Sequence, residues 1–437
     1  MNEGLQPFLD ALPKYLTLHG LTLRTNTSGR CPIKGHKSAY PFRMGIGRGG
    51  DPVWHCFACE QGGDIFDLAT HLYGFPSGKE PGFYDITVRH LSDSLGIPFP
   101  DVKIVRTEKQ QHAQLLYGAV REIANNLSIL PVKEYATKRG WNKDLLKKYN
   151  VGGISNYDSL LKQLLKNYSD QVLQEIGFLS KYTPMFAEDR IIFTIHDTAG
   201  RPVGFTGRLM NVGSHAPRKY VNSPGSVIFS KRDLFYNYHR AKMNYVKHRC
   251  KVMYIVEGQA DVLTLASKGI KAVVAASGIA FTDTHAKLLE DFDLCVACFD
   301  ADNGGMQGTR KLYTKYKGIV GSDLYLLQLP MGADPDEYVK EHGAEAFAGL
   351  DPMLPIEWEI LNEYSVKGML LANYWLPKIA NMNSLYHQRV LTMLSNKTGI
   401  SFSDLNQRLQ TLIRVEVRKL MVADLLSGNV NITVETK

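Results

Sequence analysis

Acidic residues recur at one kind of place in this chain: directly after a short apolar run. In "VMYIVEGQADVL", Glu257 follows the run and Gly258 opens a turn; in "LCVACFDADNGG", Asp300 and Asp302 follow another; in "LYLLQLPMGADPDEY", Asp334 and Asp336 stand just past a third. Short apolar runs separated by helix-period stretches predict parallel strands covered on both faces. Ligands of such sheets bind beyond the carboxyl ends of the strands. Five carboxylates brought to that edge repel one another unless cations intervene. They are hard oxygen ligands, suited to two or more Mg2+ or Mn2+ ions and hence to phosphoryl transfer. Asp300 and Asp302, two apart in extended chain, face the same way and can share an ion. A single acid after a strand is as readily a helix cap. Three acidic strand ends in one sheet are the pattern of a site.

The elements that must position these acids are legible around them. From about 250 to 330 strand-like and helix-like stretches alternate, which predicts an α/β sheet. Upstream, "RIIFTIH" and "RPVGFTGRLM" flank "DTAG", predicting a hairpin that carries Arg190 and Arg208. An extended stretch with Lys219, Tyr220, Asn222 and Lys231 follows it. Helical spacing runs from about 114 to 180 and again beyond about 345. "VRTEKQQHAQ" reads as a linker running into a helix. The first hundred residues are rich in Gly, Pro and aromatics, with strand-like pieces "AYPFRMGI" and "PVWHCF". Single lysines and arginines are by default solvated surface; beside a metal-binding acidic edge they are what triphosphates and a template backbone need.

Glu-Gly after one strand, Asp-x-Asp after a later one and a further acidic pair resemble the TOPRIM domain of primases, topoisomerases, certain nucleases and recombination proteins. The upstream stretches resemble the polymerase core of bacterial-type (DnaG-like) primases. The family pattern Arg-x-x-Phe-Pro-Ile, Gly-Arg, Lys-Tyr-x-Asn-Ser-Pro, Phe-x-Lys and Tyr appears here as Arg190-Ile-Ile-Phe-Thr-Ile, Gly207-Arg208, Lys219-Tyr-Val-Asn222-Ser-Pro, Phe229-Ser-Lys231 and Tyr236. Thr194 stands where the family usually has proline. "EYATKRGWNKDLLKKYNVGG", with Arg139, resembles the start of that core. The resemblance implies that Arg190, Arg208, Asn222, Arg139 and Tyr220 hold nucleotide or template. It implies that Lys219 and Lys231 act in catalysis, and that Glu257, Asp300, Asp302, Asp334 and Asp336 form the magnesium site. Glu257 is open to either metal ligation or proton transfer.

Primases of this type carry an N-terminal zinc ribbon. Cys56 and Cys59, in "WHCFACEQGGD", have the spacing of a zinc knuckle. The family's other half is Cys-x-x-His or Cys-x-x-Cys, but Lys34 fills that second position here. The expected ligands of one structural zinc are therefore Cys31, His36, Cys56 and Cys59, with a three-ligand or metal-free ribbon as the alternative. Cys295 and Cys298 share the spacing but lie in an expected buried strand, so they are core. Trp54, Phe57, Tyr40 and Phe42 lie among Arg43, Arg48 and Lys37; they either stack single-stranded bases or supply the ribbon's own core.

The expected fold is multidomain, α+β and α/β. A zinc ribbon occupies 1–100, a linker 101–113, a mixed basic subdomain 114–248, the TOPRIM sheet 249–345 and a helical bundle 346–437. The implied activity is that of a DNA primase, a DNA-directed RNA polymerase making short primers on single-stranded DNA. Its implied partners are ribonucleoside triphosphates, a replicative helicase and a single-strand binding protein. The rivals are a TOPRIM nuclease and a catalytically silent DNA-binding recombination factor. A net charge of +8 over 437 residues fits a polyanionic partner. No G-x-x-x-x-G-K-[ST] occurs, so no nucleotide motor of that class is expected. Six cysteines are too few for a disulfide framework in so long a chain, and no segment nears the length of a membrane span, so a cytoplasmic protein is expected. The compact size suggests a phage or mobile-element type, with any helicase met through another surface or the final helix.

Overall fold

The computed structural model describes residues 3–19, 28–29, 31, 33, 41–78, 80, 82–101, 107–179, 186, 189–211, 218–248, 250–277, 281–316, 323–363 and 367–426. They fall into two compact units, Met1–Asp351 and Pro352–Lys437.

The first unit holds three four-stranded sheets. An antiparallel sheet is built from β1 (Ser28–Gly29), β2 (Phe42–Ile46), β3 (Pro52–Cys56) and β4 (Gln61–Gly63), in that order. The helices Gln6–Asp10, Leu12–Leu18, Ile65–Tyr73 and Arg89–Leu95 supply the rest of its apolar core. Helix Ile65–Tyr73 starts where Asp64 and Asp67 satisfy each other's backbone N–H groups, a capping box. It stops at Gly74, whose positive φ closes the last turn.

A second antiparallel sheet runs β5 (Val151–Gly152), β6 (Arg190–His196), β7 (Pro202–Leu209), β8 (Tyr220–Asn222). β6 and β7 form the hairpin expected around "DTAG", with Asp197 accepting from the N–H groups of Ala199 and Arg201 across the turn. Every residue of β6 is buried, because apolar cores lie on both faces: Ile191 and Phe193 join one and Ile192 the other. The helix expected from about 114 begins earlier, at Glu108. Thr107 accepts from the Gln110 N–H while Gln110 accepts from the Thr107 N–H, and that reciprocal cap fixes the start.

The third sheet is wholly parallel, in the order β10 (Val273–Ala275), β9 (Met253–Val256), β11 (Leu294–Ala297), β12 (Asp323–Leu326). The intervening helices Gln259–Ser267, Asp283–Leu289 and Asn303–Tyr316 make it the α/β sheet that the alternation predicts. Its edge strand β10 is covered by Tyr236, which exchanges two backbone hydrogen bonds with Ala275.

The first hundred residues sit on this core. Lys242, from helix Tyr238–Lys247, donates to the Leu72 carbonyl at 3.3 Å and to Asp291 at 2.7 Å. Arg201 lies with its guanidinium 5.6 Å from the Phe75 ring, and Thr198 donates to the Tyr73 carbonyl. Nothing in the sequence announced this seat, since its contacts are spread over more than two hundred residues. The second unit packs helices Pro355–Leu361, Gly368–Ala380, His387–Thr398 and Phe402–Leu426 around Leu371, Trp375, Leu391, Leu394 and Leu405. Among the described residues no helix is long and apolar enough to cross a membrane.

Candidate active site

β9, β11 and the segment after β12 end at one rim, and the second sheet faces them across a cleft of about 360 Å3. Nine residues singled out by the sequence line it: Glu257, Asp300 and Asp334 from the strand ends, and Arg139, Arg208, Lys219, Tyr220, Asn222 and Lys231 opposite. Parallel strand direction explains the first three: Glu257 directly follows β9, Asp300 stands in the turn after β11, and Asp334 lies further on, at the start of the helix that follows β12. The β7–β8 register explains three of the others, Arg208, Tyr220 and Asn222. Thr206 pairs with Asn222 and Arg208 with Tyr220, so alternate residues of both strands leave on the cleft face. The intervening Phe205 and Val221 pack into the core behind.

The acids crowd one another. Burial first, then the charges of Glu257, Asp334 and Asp302, push the Asp300 carboxyl up to about 7; Lys219 pulls the other way. Asp300 Oδ1 is buried without a hydrogen-bond partner. Burial and Asp302 raise Glu257 as well. An orphaned oxygen on a crowded carboxyl is what a divalent cation would relieve, and oxygen donors suit Mg2+ or Mn2+. The donor set fits. The turn after Asp300 is glycine-dependent, because a Cβ on Gly305 would stand 2.0 Å from the Asp300 carbonyl oxygen. Asp302, exposed at this turn, accepts from the Gly305 N–H at 2.8 Å.

Three of the singled-out residues take other places. Asp336 is 2% exposed and pairs with Arg139 at 2.7 Å and Lys340 at 2.6 Å, while Asp334 also caps helix Pro335–Ala348. Asp302 does not line the cleft, although its charge reaches both Glu257 and Asp300. Arg190 is 2% exposed and spends its guanidinium on the carbonyls of Arg218, Gly207 and Lys219. It clamps the chain on either side of Lys219 rather than reaching the cleft.

Sequence reasoning passed over Asp261. It lines the cleft and accepts from the Gly258 N–H at 2.9 Å. Burial and then Asp300 hold its carboxyl well above the usual carboxylate range. The available signal was its position four residues after Glu257, one helical turn away on the same side. Gln259 and Thr206 were missed too, being uncharged.

The thiols of Cys31, Cys56 and Cys59 gather in the first sheet, all within 4.8 Å of one another. Cys31 Sγ and Cys59 Sγ are 3.9 Å apart. Two sulfurs bound tetrahedrally at the usual Zn–S length of about 2.3 Å would stand about 3.8 Å apart. The donors fit a structural metal. His36, together with Lys34, Lys37 and Tyr40, lies outside the described residues. His55 is exposed and packs its ring against Phe57. Trp54 and Phe42 are buried and stacked on each other, with the indole N–H on the Asp64 carbonyl, so they take the core role. Phe57, 65% exposed with the Arg43 guanidinium 5.7 Å away, is the ring turned outward. Cys295 and Cys298 are fully buried in and just past β11.

Comparisons with known proteins bear on all of this. Residues 121–242 match the family model of the DNA primase catalytic core, N-terminal domain, and residues 254–339 match the Toprim-like family. The chain is 29% identical to a DNA primase of Geobacillus stearothermophilus over 74% of its own length and 54% of the relative's. To a DNA primase of Staphylococcus aureus (strain MW2) it is 26% identical over 92% of its length and 64% of the relative's. It thus spans about half to two-thirds of the relatives' length. Among solved structures, a DnaG primase catalytic domain bound to ssDNA is 25% identical with a TM-score of 0.55, covering 66% of this chain and all of that one. The Aquifex aeolicus primase (zinc binding and RNA polymerase domains), 22% identical, shares the fold over 93% of this chain and 99% of that one, with a TM-score of 0.54.

Proposed function

We propose that this chain, which carries the core of the DnaG-type bacterial DNA primases, is a DNA-directed RNA polymerase that makes short RNA primers. One observation carries the reading: Asp300, crowded by Glu257, Asp334 and Asp302, faces Lys219 across a cleft that Arg208 and Lys231 also line. Negative rim and basic wall are what polymerisation of nucleoside triphosphates needs on its two sides.

Glu257, Asp300 and Asp334, with Asp261 and Asp302 beside them, would hold Mg2+ or Mn2+. Bound there, such ions supply charge neutralisation for the leaving pyrophosphate and a lowered pKa for the attacking 3′-hydroxyl. The chain's own residues do the rest. Lys219, Lys231 and Arg208 bind the triphosphate, and burial, which lowers the Lys231 ammonium, strengthens its contact with phosphate. Arg139 is held by Asp336 at the cleft mouth. Tyr220, with Arg208 and Lys219 about 5.6 and 5.9 Å from its ring, offers a face to a base.

The template is single-stranded DNA, the ligand that the similar DnaG catalytic domain binds. Residues 1–100 form a ribbon domain holding one zinc through Cys31, Cys56, Cys59 and His36, and Phe57 with Arg43 touches template there. Residues 114–248, 249–345 and 346–437 are the basic, TOPRIM and helical parts of the polymerase. A replicative helicase and a single-strand binding protein are the partners that priming at a fork calls for.

The test incubates the chain with single-stranded DNA, ribonucleotides and Mg2+. Short RNA products should appear and should fall by at least about 10^3-fold in Asp300→Ala. Nicked template without RNA would make the protein a nuclease and overturn the reading.

A further inference from the structure

Beneath the charged residues of the cleft runs a relay of uncharged side chains. Gln259, 3% exposed in the first turn of helix Gln259–Ser267, donates from Nε2 to Ser277 Oγ at 3.1 Å and to Thr206 Oγ1 at 3.3 Å. Thr206, 1% exposed, donates to Asn222 Oδ1 at 2.7 Å. The direction follows from proton count. A hydroxyl carries one proton; Thr206 accepts from Gln259, so its own proton goes to Asn222. The Asn222 oxygen is thereby tied down, and its two amide N–H donors are left for the cleft that it lines.

The relay is anchored at both ends. Thr206 and Asn222 are direct cross-strand partners of β7 and β8. Ser277 stands just past β10 at a φ of 60°, and its N–H donates to the Glu257 carbonyl at 2.9 Å. The strand end carrying the acid and the strand carrying the amide are therefore held in register through Gln259.

Building on the polymerase reading above, we infer that Thr206 and Gln259 are positioning residues for nucleotide binding: they keep the Asn222 amide turned so that it donates to an oxygen of the incoming nucleoside triphosphate. Neither touches the nucleotide. Without the Thr206 hydroxyl the carboxamide is free to turn about a torsion with a broad, two-fold profile, and its hydrogen bond to the ligand is lost. Binding suffers, and chemistry at the rim does not.

Thr206→Val matches the shape and cuts the relay. In the full chain, KM for ribonucleotide should rise about tenfold, the worth of one hydrogen bond, with kcat within about twofold. Thr206→Ser keeps the hydroxyl and should recover most of the loss. In an Asn222→Ala background, Thr206→Val should add nothing, since the group it acts through is gone. Affinity for ATP with Mg2+, measured by calorimetry in the same variants, should follow the same order. Their melting midpoints should stay within about 3 °C of wild type, the cost of one buried hydrogen bond in a chain of this size. An unchanged KM in Thr206→Val, a loss confined to kcat, or full additivity with Asn222→Ala would overturn the inference. If the wild-type chain binds ATP but makes no RNA, the polymerase reading falls, while the ATP affinities still judge the relay.

Discussion

Among the described residues two places are fit for metal, and they are built on opposite plans. Two of the three thiols at the first sheet are enclosed, with Cys56 fully buried and Cys31 5% exposed, while Cys59 is half-buried beside them. The carboxylates of the parallel sheet open onto a 360 Å3 cleft. Soft ligands in a closed core suit an ion that never leaves and stands in for missing apolar contacts. Hard ligands on an open rim, raised by partial burial and by mutual repulsion, suit ions that come and go with a phosphate-bearing ligand. Composition alone separates sulfur from oxygen; enclosure separates structure from chemistry.

Disrupting the enclosed site should produce the largest effect. Cys56→Ser removes one thiol of the group, and structural zinc is worth on the order of 10 kcal/mol to a small domain. The zinc proposed there should be lost, and residues 1–100 should become protease-sensitive. ATP affinity at the acidic rim should stay within about twofold. Proteolysis with metal analysis checks this, and a stable, metal-free ribbon would break the contrast.

At the open rim a backbone change should act on chemistry instead. Gly305→Ala forces the Asp300 turn apart by its clash with the Asp300 carbonyl. Displacing a catalytic group by about 1 Å costs on the order of 10^2-fold, so primer synthesis should drop by that factor. Zinc content should not change. Wild-type kcat in this variant would show that the turn is not under the constraint the geometry implies.

The smallest effect belongs to the seat of the first hundred residues. Burial, with neighbouring positive charge, holds His19 down at about 3, His90 at about 4 and His196 at about 3. Unfolded, these rings titrate near 6.5. Below that pH the unfolded chain binds more protons than the folded one, so the stability they contribute is full above 6.5 and drains as pH falls toward 3 to 4. Burial and crowding hold the Asp300 and Asp261 carboxyls up, so those groups act with the opposite sign over the same window. The rings are therefore read by difference: moving from pH 7.5 to 5.5 should lower the melting midpoint by about 2 °C less in His19→Gln than in wild type. An identical pH response in His19→Gln and wild type would refute neutral burial of this ring.

Much of the site was legible for a local reason. Acids at or just past apolar runs are placed mainly by strand direction, which is why Glu257 and Asp300 were legible in the sequence; Asp334 reaches the same rim as the cap of the helix after β12. Arg190 could not. Its type suits phosphate, yet its place on a strand buried on both faces turns its guanidinium onto backbone carbonyls. Asp336 likewise was an acid in the right stretch, and its two cationic neighbours, Arg139 and Lys340, decide its role as an ion-pair anchor. Thr206 and Gln259 carry no charge and no motif, so only their hydrogen bonds reveal them.

The sequence by itself determined the order of strands and helices, the parallel sheet and the residues at its strand ends, because apolar periodicity and strand direction act over a few residues. The tertiary structure alone decided which cations face the acids and which are spent on carbonyls. It alone decided that Trp54 fills a core while Phe57 faces outward, and where the first hundred residues sit. Those outcomes rest on contacts between residues far apart in the chain, where burial and partner charge, rather than residue type, set what a side chain does.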